Sequence, residues 1–176
     1  VRLPYRNDES REFVLSELEQ LGPEFLLFSP NLRRVDVVNG LVRNIMKIQS
    51  KKGRPKSGDV KLTWNSDGTQ QAQLWRRWTS VLTPSRASEK TLSIMLCLPL
   101  DKSRKPIPTD EAPPFYMFFK TLHTLGVKAA IHASFEVDSN RKHVRAGGFD
   151  DEIVAEFNKL IVQVIGDISP ATVLSV

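Results

Sequence analysis

Apolar and polar positions alternate with two different periods along this chain, and the change of period divides it into elements. "VRLPYR" sets Val1, Leu3 and Tyr5 against Arg2 and Arg6, the two-residue repeat of a short strand. "NDESREFVLSELEQLG" shifts to helical spacing: Asp8 can cap it, acidic residues fill its first turn, Phe13, Val14, Leu18 and Leu21 form a buried stripe, and Gly22 ends it. Pro23 then stands where a second short helix, "PEFLLFS", would begin. "LRRVDVV" and "LVRNIMKIQ" return to strand pattern with Asn39-Gly40 between them, the strongest short hairpin signal a sequence offers.

"SKKGRPKSGD" is a polar loop, after which "VKLTWN", Ser66-Asp67-Gly68 and "QAQLWRRWTSVL" predict a second hairpin. "KTLSIMLCLPL" is almost continuously apolar, as a central strand covered on both faces should be. Five prolines between Pro99 and Pro114 make the next stretch a long loop. "FYMFFKTL" fits a strand or a short helix equally. "VKAAIHASFEV" is a strand, and Gly147-Gly148 gives a bend before the strongest helix. In that helix, "DEIVAEFNKLIVQVIGDI", Ile153, Val154, Phe157, Leu160, Ile161, Val164 and Ile165 fall at helical spacing. The order of elements predicts an α+β fold, a mostly antiparallel or mixed sheet with helices packed on it.

Composition narrows the classes. The chain has 176 residues, 40% hydrophobic and 26% charged with both signs mixed, so it has enough apolar material for a core. A net charge of +5 permits a polyanionic partner without requiring one. One cysteine, Cys97, allows neither an internal disulfide nor a cysteine metal cluster, which suits a reducing cytoplasm. There is no run of the roughly 18 apolar residues that a membrane span needs. Val1 falls inside a strand pattern, so the chain reads as a piece of a longer protein.

Several groupings invite a chemical reading. His132, Ser134 and Glu136 share one face of a strand, but alternate strand residues stand roughly 6.5–7 Å apart, too far for a nucleophile–base hydrogen bond of ~3 Å. Three scattered histidines and one cysteine have no metal-ligand spacing. No glycine-rich phosphate loop is present, so the chain carries no complete nucleotide site of its own.

Basic residues remain. "KKGRPKSG" holds the Gly-Arg-Pro core of a minor-groove hook, with Lys52 where an arginine is expected; the same letters also describe a hairpin loop kept in water by its charges. "LWRRWTS" puts Arg76 and Trp78 on one strand face and Trp75 and Arg77 on the other, for stacking on bases or for internal cation–π pairs. A nucleic-acid-associated module using Lys51, Lys52, Arg54 and Lys56 with Arg76 and Arg77 is therefore one candidate function. The last group, Arg141, Lys142, His143 and Arg145, follows the strand "IHASFEV" directly. Arg141 there either meets an anion or pairs with Glu136, Asp138 or Asp150.

Four stretches, in order, carry a resemblance. "VRLPYR" resembles the last strand of a GHKL-type ATPase domain, the superfamily of gyrase B, histidine kinases, MutL and the ninety-kilodalton heat-shock chaperone. "PEFLLFSPNLRRVDV" resembles the segment after that domain in sacsin-like proteins. "LCLPL" with "IHASFEVDSNRKHV" resembles sacsin's Leu-Pro-Leu strand and its downstream Phe-x-x-x-Ser-x-Arg-Arg motif. "EFNKLIVQVIGDISPA" resembles the helix that closes the unit.

The resemblance implies residues 1–6 as the end of an ATPase domain and residues 7–176 as its middle, transducer-like domain, with a ribosomal-S5-domain-2-like fold. It implies ATP and magnesium in the longer protein but neither held by this piece alone. Its partners would be the adjacent ATPase domain and a protein client, with nucleic acid bound only weakly, no membrane, and room for a homodimer of the longer protein. It assigns Arg141 to the γ-phosphate, with Lys142 assisting and Asn140 beside them at the nucleotide. The chaperone's motif differs in having Ser-Arg-Glu and a nearby glutamine; Asn140-Arg141-Lys142 stands here and no glutamine follows within the turn.

Overall fold

The computed structural model describes residues 6–19, 21–29, 31–39, 42–50, 57–66, 68–83, 91–107, 112–117, 119–124, 126–134 and 150–168. The expected strand and domain boundary at the amino terminus fall on residues 1–5, outside that set, with only Arg6 inside it. Eight strands form one sheet: β1 (Arg34–Asn39), β2 (Val42–Ser50), β3 (Ser57–Ser66), β4 (Thr69–Leu82), β5 (Leu92–Leu100), β6 (Pro114–Met117), β7 (Phe119–Thr124) and β8 (Ala130–His132). Their spatial order is β1-β2-β3-β4-β5-β8-β6-β7. Every neighbouring pair is antiparallel except β6 with β8, which is parallel. With helices α1 (Asp8–Glu19), α2 (Phe25–Phe28) and α3 (Asp150–Asp167), the fold is α+β.

The hairpins form as their turn residues require. Asn39 pairs with Val42, which leaves residues 40–41 as the connection, and Ser66 pairs with Thr69 around Gly68, whose φ of 75° is costly for any residue with a Cβ. "FYMFFKTL" is the strand of the two alternatives: Phe115 and Tyr116 are buried in β6, and β7 turns back against it. β5 is the central strand, buried from Ile94 to Leu98 without a break.

Side chains of β5 alternate between two cores. Met95 and Cys97 join Met46, Ile48, Val60 and Leu62 around α2 on one side of the sheet. Ile94, Leu96 and Leu98 join Trp78, Phe115 and Ile131 under α3 on the other. All four residues of α2 are buried, so this single turn serves as a plug for its core, each side chain contributing about 1.5–3 kcal/mol of burial. α3 buries Ile153, Leu160 and Val164, with Phe157 and Ile161 packed beside them. Val154 and Ile165, at the margins of the expected stripe, are about half exposed.

α1 departs from expectation twice. Its cap is Asn7, one residue before Asp8: the Asn7 Oδ1 accepts from the Ser10 amide at 2.8 Å. An asparagine side chain reaches the third amide of the helix from the cap position, and the helix therefore begins at Asp8 itself. The expected buried stripe is also incomplete. Phe13 is 58% and Val14 38% exposed, while Leu15, Leu18 and Leu21 are half-buried, and of these Leu21 packs against the α2-side core.

Candidate functional site

Asn140, Arg141 and Lys142 lie outside the described residues, as do Lys51, Lys52, Arg54 and Lys56. The structure instead fixes what leads to them. β8 is inserted between β5 and β6, with His132 opposite Met95 on one side and Tyr116 on the other. Ala130 to Ala133 are all buried. Of the expected strand "VKAAIHASFEV" only Ala130–His132 pairs in the sheet; Ala133 and Ser134 have already left the ladder, and Asn140 follows six residues after Ser134.

His132 on that strand is a core residue. It is 1% exposed, its Nδ1 lies 3.0 Å from the Tyr116 carbonyl oxygen, and its ring stacks on Phe28 of α2 at 5.5 Å between centroids. Burial pushes its pKa down to about 4, against a smaller upward pull from the carbonyl. The neutral tautomer with hydrogen on Nδ1 therefore donates to Tyr116. Burial likewise raises the Tyr116 phenol and lifts the Cys97 thiol to about 12, with Arg77 opposing the latter. Neither group supplies a nucleophile near neutral pH. Glu136, the third member of the hydrolase-like grouping, lies outside the described residues.

Arg76 and Arg77 are not brought together. Arg76 points to the α3 side, where its Nε donates to Asp59 at 2.8 Å, directly across the β3–β4 ladder. Arg77 points to the α2 side and donates from Nη1 to the Leu27 carbonyl at 3.1 Å. Each guanidinium meets an oxygen where an indole face was the expected internal partner. Trp78 is sealed beneath α3, where its Nε1 donates to Asp167 at 2.8 Å, so it presents no face to a base. Trp75 packs on the α2-side core with its indole nitrogen buried and unbonded among the described residues.

The Arg77 contact occupies one of the carbonyls that a single-turn helix leaves open. Arg77→Met is expected to cost about 2 kcal/mol, from an unsatisfied buried carbonyl and a lost charge-assisted bond. Urea unfolding followed by circular dichroism measures it, and Arg77→Lys should recover part of the loss.

An apolar cavity of about 340 Å³ opens between β5, residues 126–129 and the carboxyl-terminal half of α3. Among the described residues Lys128 is the one ionisable side chain on its wall, so no set of described polar groups converges there. Among the described residues no three His, Cys, Asp or Glu side chains stand close enough to hold a metal ion, and no helix is long and apolar enough to cross a membrane. No protein-family model, curated protein or solved structure matches this chain.

Proposed function

We propose that this chain is the middle, transducer-like domain of a sacsin-like, cytoplasmic protein in which it follows a GHKL ATPase domain. Arg141, with Lys142 assisting and Asn140 beside them, completes the ATP–magnesium site of that neighbouring domain and relays its state to a client or effector region. The observation that carries the reading is the succession, in one chain, of "VRLPYR", "PEFLLFSPNLRRVDV", "LCLPL" with "IHASFEVDSNRKHV", and "EFNKLIVQVIGDISPA". Two structural facts support it. "LCLPL" is the buried central strand β5, and the strand leading toward Arg141 pairs with it directly. The planar fork of donors on a guanidinium suits a γ-phosphate.

Arg141→Ala in the longer protein is expected to lower ATP turnover at least about tenfold, with kcat falling more than nucleotide affinity, because the charge matters most as the γ-phosphate leaves. Arg141→Lys keeps the charge without the fork and should recover part of the loss. Steady-state hydrolysis decides it. Unchanged turnover, or an equal loss in Arg145→Ala, would leave Arg141 an ordinary surface residue.

A further inference from the structure

We propose that the uncovered half of the sheet on its α3 side binds the phosphate backbone of duplex nucleic acid through a diagonal row of cations. The inference is independent of Arg141. It begins from strand register. Lys47 of β2 stands opposite Thr63 of β3, and Lys61 lies two residues along from Thr63. Lys61 in turn stands opposite Leu74 of β4, and Arg76 lies two residues along from Leu74. Lys47, Lys61 and Arg76 are therefore successive diagonal neighbours on one face, in steps of roughly 7–8 Å.

That face is the α3 side, because Arg76 stands opposite Leu98 of β5, which belongs to the core under α3. α3 is tied to β4 at Ser80 through Glu156 and at Trp78 through Asp167. Arg76 lies beyond those ties, the main sheet contacts of α3 fall on β4 and β5, and Lys61 is exposed.

A fourth cation is brought to the row by the turn after β5. Asp101 and Lys105 close that turn backbone to backbone at 2.8 Å, and Arg104 takes up a left-handed φ of 63°, unusual for a residue with a side chain of this length. Its guanidinium reaches Asp59 at 3.6 Å, so Asp59 holds Arg104 and Arg76 side by side. Four cations against that one carboxylate leave three net positive charges along the row. At β1 the same face carries Arg34 and Asp36, which neutralise each other as an ion pair.

A line of cations suits a linear polyanion. Thr63, Ala72 and Gln70 flank the row, and Trp64 and Trp75 pack on the opposite side of the sheet. Trp78 of β4 is on this side but sealed beneath α3, so no described aromatic face is open to unstacked bases, which favours the backbone of a duplex over a single strand.

The test is fluorescence anisotropy of a labelled mixed-sequence duplex of about 20 base pairs, titrated with the 176-residue chain between 50 and 200 mM salt. Three or four phosphate contacts give a slope of log affinity on log salt of about −3. Lys47→Gln with Lys61→Gln should bring the slope down by about two and weaken binding at 50 mM salt at least about tenfold. Lys47→Arg with Lys61→Arg should retain the slope, which separates lost charge from damaged folding. Lys120→Gln, on β7 at the far edge of the sheet, should change nothing. An unchanged slope in the double glutamine variant, or an equal fall in Lys120→Gln, would overturn the proposal. So would binding that disappears only when Lys51, Lys52, Arg54 and Lys56 become serine, or binding to phosphatidylserine vesicles but not to duplex.

Discussion

Replacing Trp78 by alanine is expected to destabilise the fold by about 4 kcal/mol, a large part of what a domain of this size has. Two losses combine. The indole is 1% exposed and fills the space between β4, β5 and α3, so its removal leaves a cavity in the core under α3. It also donates to Asp167 at 2.8 Å, the contact that ties the last turn of α3 to the sheet. Trp78→Phe separates the terms: it keeps most of the volume and loses the bond, at about 1–2 kcal/mol. Val81→Ala, on the same strand but 57% exposed, should fall within about 0.5 kcal/mol of the wild type. Urea unfolding monitored by circular dichroism gives all three. A Trp78→Ala chain no less stable than Val81→Ala would mean that α3 is held by something other than this contact.

The second large effect is on acid stability. His132 has a folded-state pKa of about 4, against the ordinary value of 6.5 in an unfolded chain. Between those two values the unfolded chain takes up a proton that the folded chain refuses, so stability rises with pH there. The contribution is fully present above pH 6.5 and is lost as pH falls toward 4, in total about 3 kcal/mol. His132→Asn removes the titrating group while retaining a donor near the Nδ1 position for the Tyr116 carbonyl. Its stability at neutral pH should be lower, since it loses the ring stacked on Phe28. Its pH dependence between 6.5 and 4 should be shallower by about that 3 kcal/mol. Equal slopes for the two proteins would show that His132 protonates in the folded state without penalty.

Much of this arrangement was legible in the letters because local chemistry decided it. Asn39-Gly40, and Ser66-Asp67-Gly68, stand where two apolar runs must reverse, and antiparallel pairs form at both. The unbroken "LSIMLCLPL" could be stable only with both faces covered, and β5 is. "FYMFFKTL" fits either element because five apolar residues in a row satisfy either period; long-range pairing with β8 makes it a strand. The Phe13 and Val14 stripe failed for a complementary reason. Helical periodicity marks a face that is able to be buried, but how far each position is buried depends on long-range packing, which here reaches Leu21 at the end of the stripe more than Phe13 and Val14. For the basic residues, spacing assigned Arg76 and Arg77 to opposite faces correctly but could not reveal that Asp59 and the Leu27 carbonyl would hold them. Spacing alone does not single out Lys47 and Lys61, because their diagonal alignment exists only once register is known.

The strand order has a consequence for how the chain assembles. β1 to β5 succeed one another in sequence and in space, so their pairings close short loops and can be made early. β8 comes after β6 and β7 in the chain yet lies between β5 and β6 in the sheet, and its insertion has to await a longer loop closure. Until it arrives, the five-stranded meander ends in β5, whose free edge displays "LSIMLCLPL", apolar, β-prone and without a single charge. The most protected strand of the finished sheet is thus the most adhesive strand of the half-built one, and Ala130–His132 of β8 cover its middle, from Met95 to Cys97.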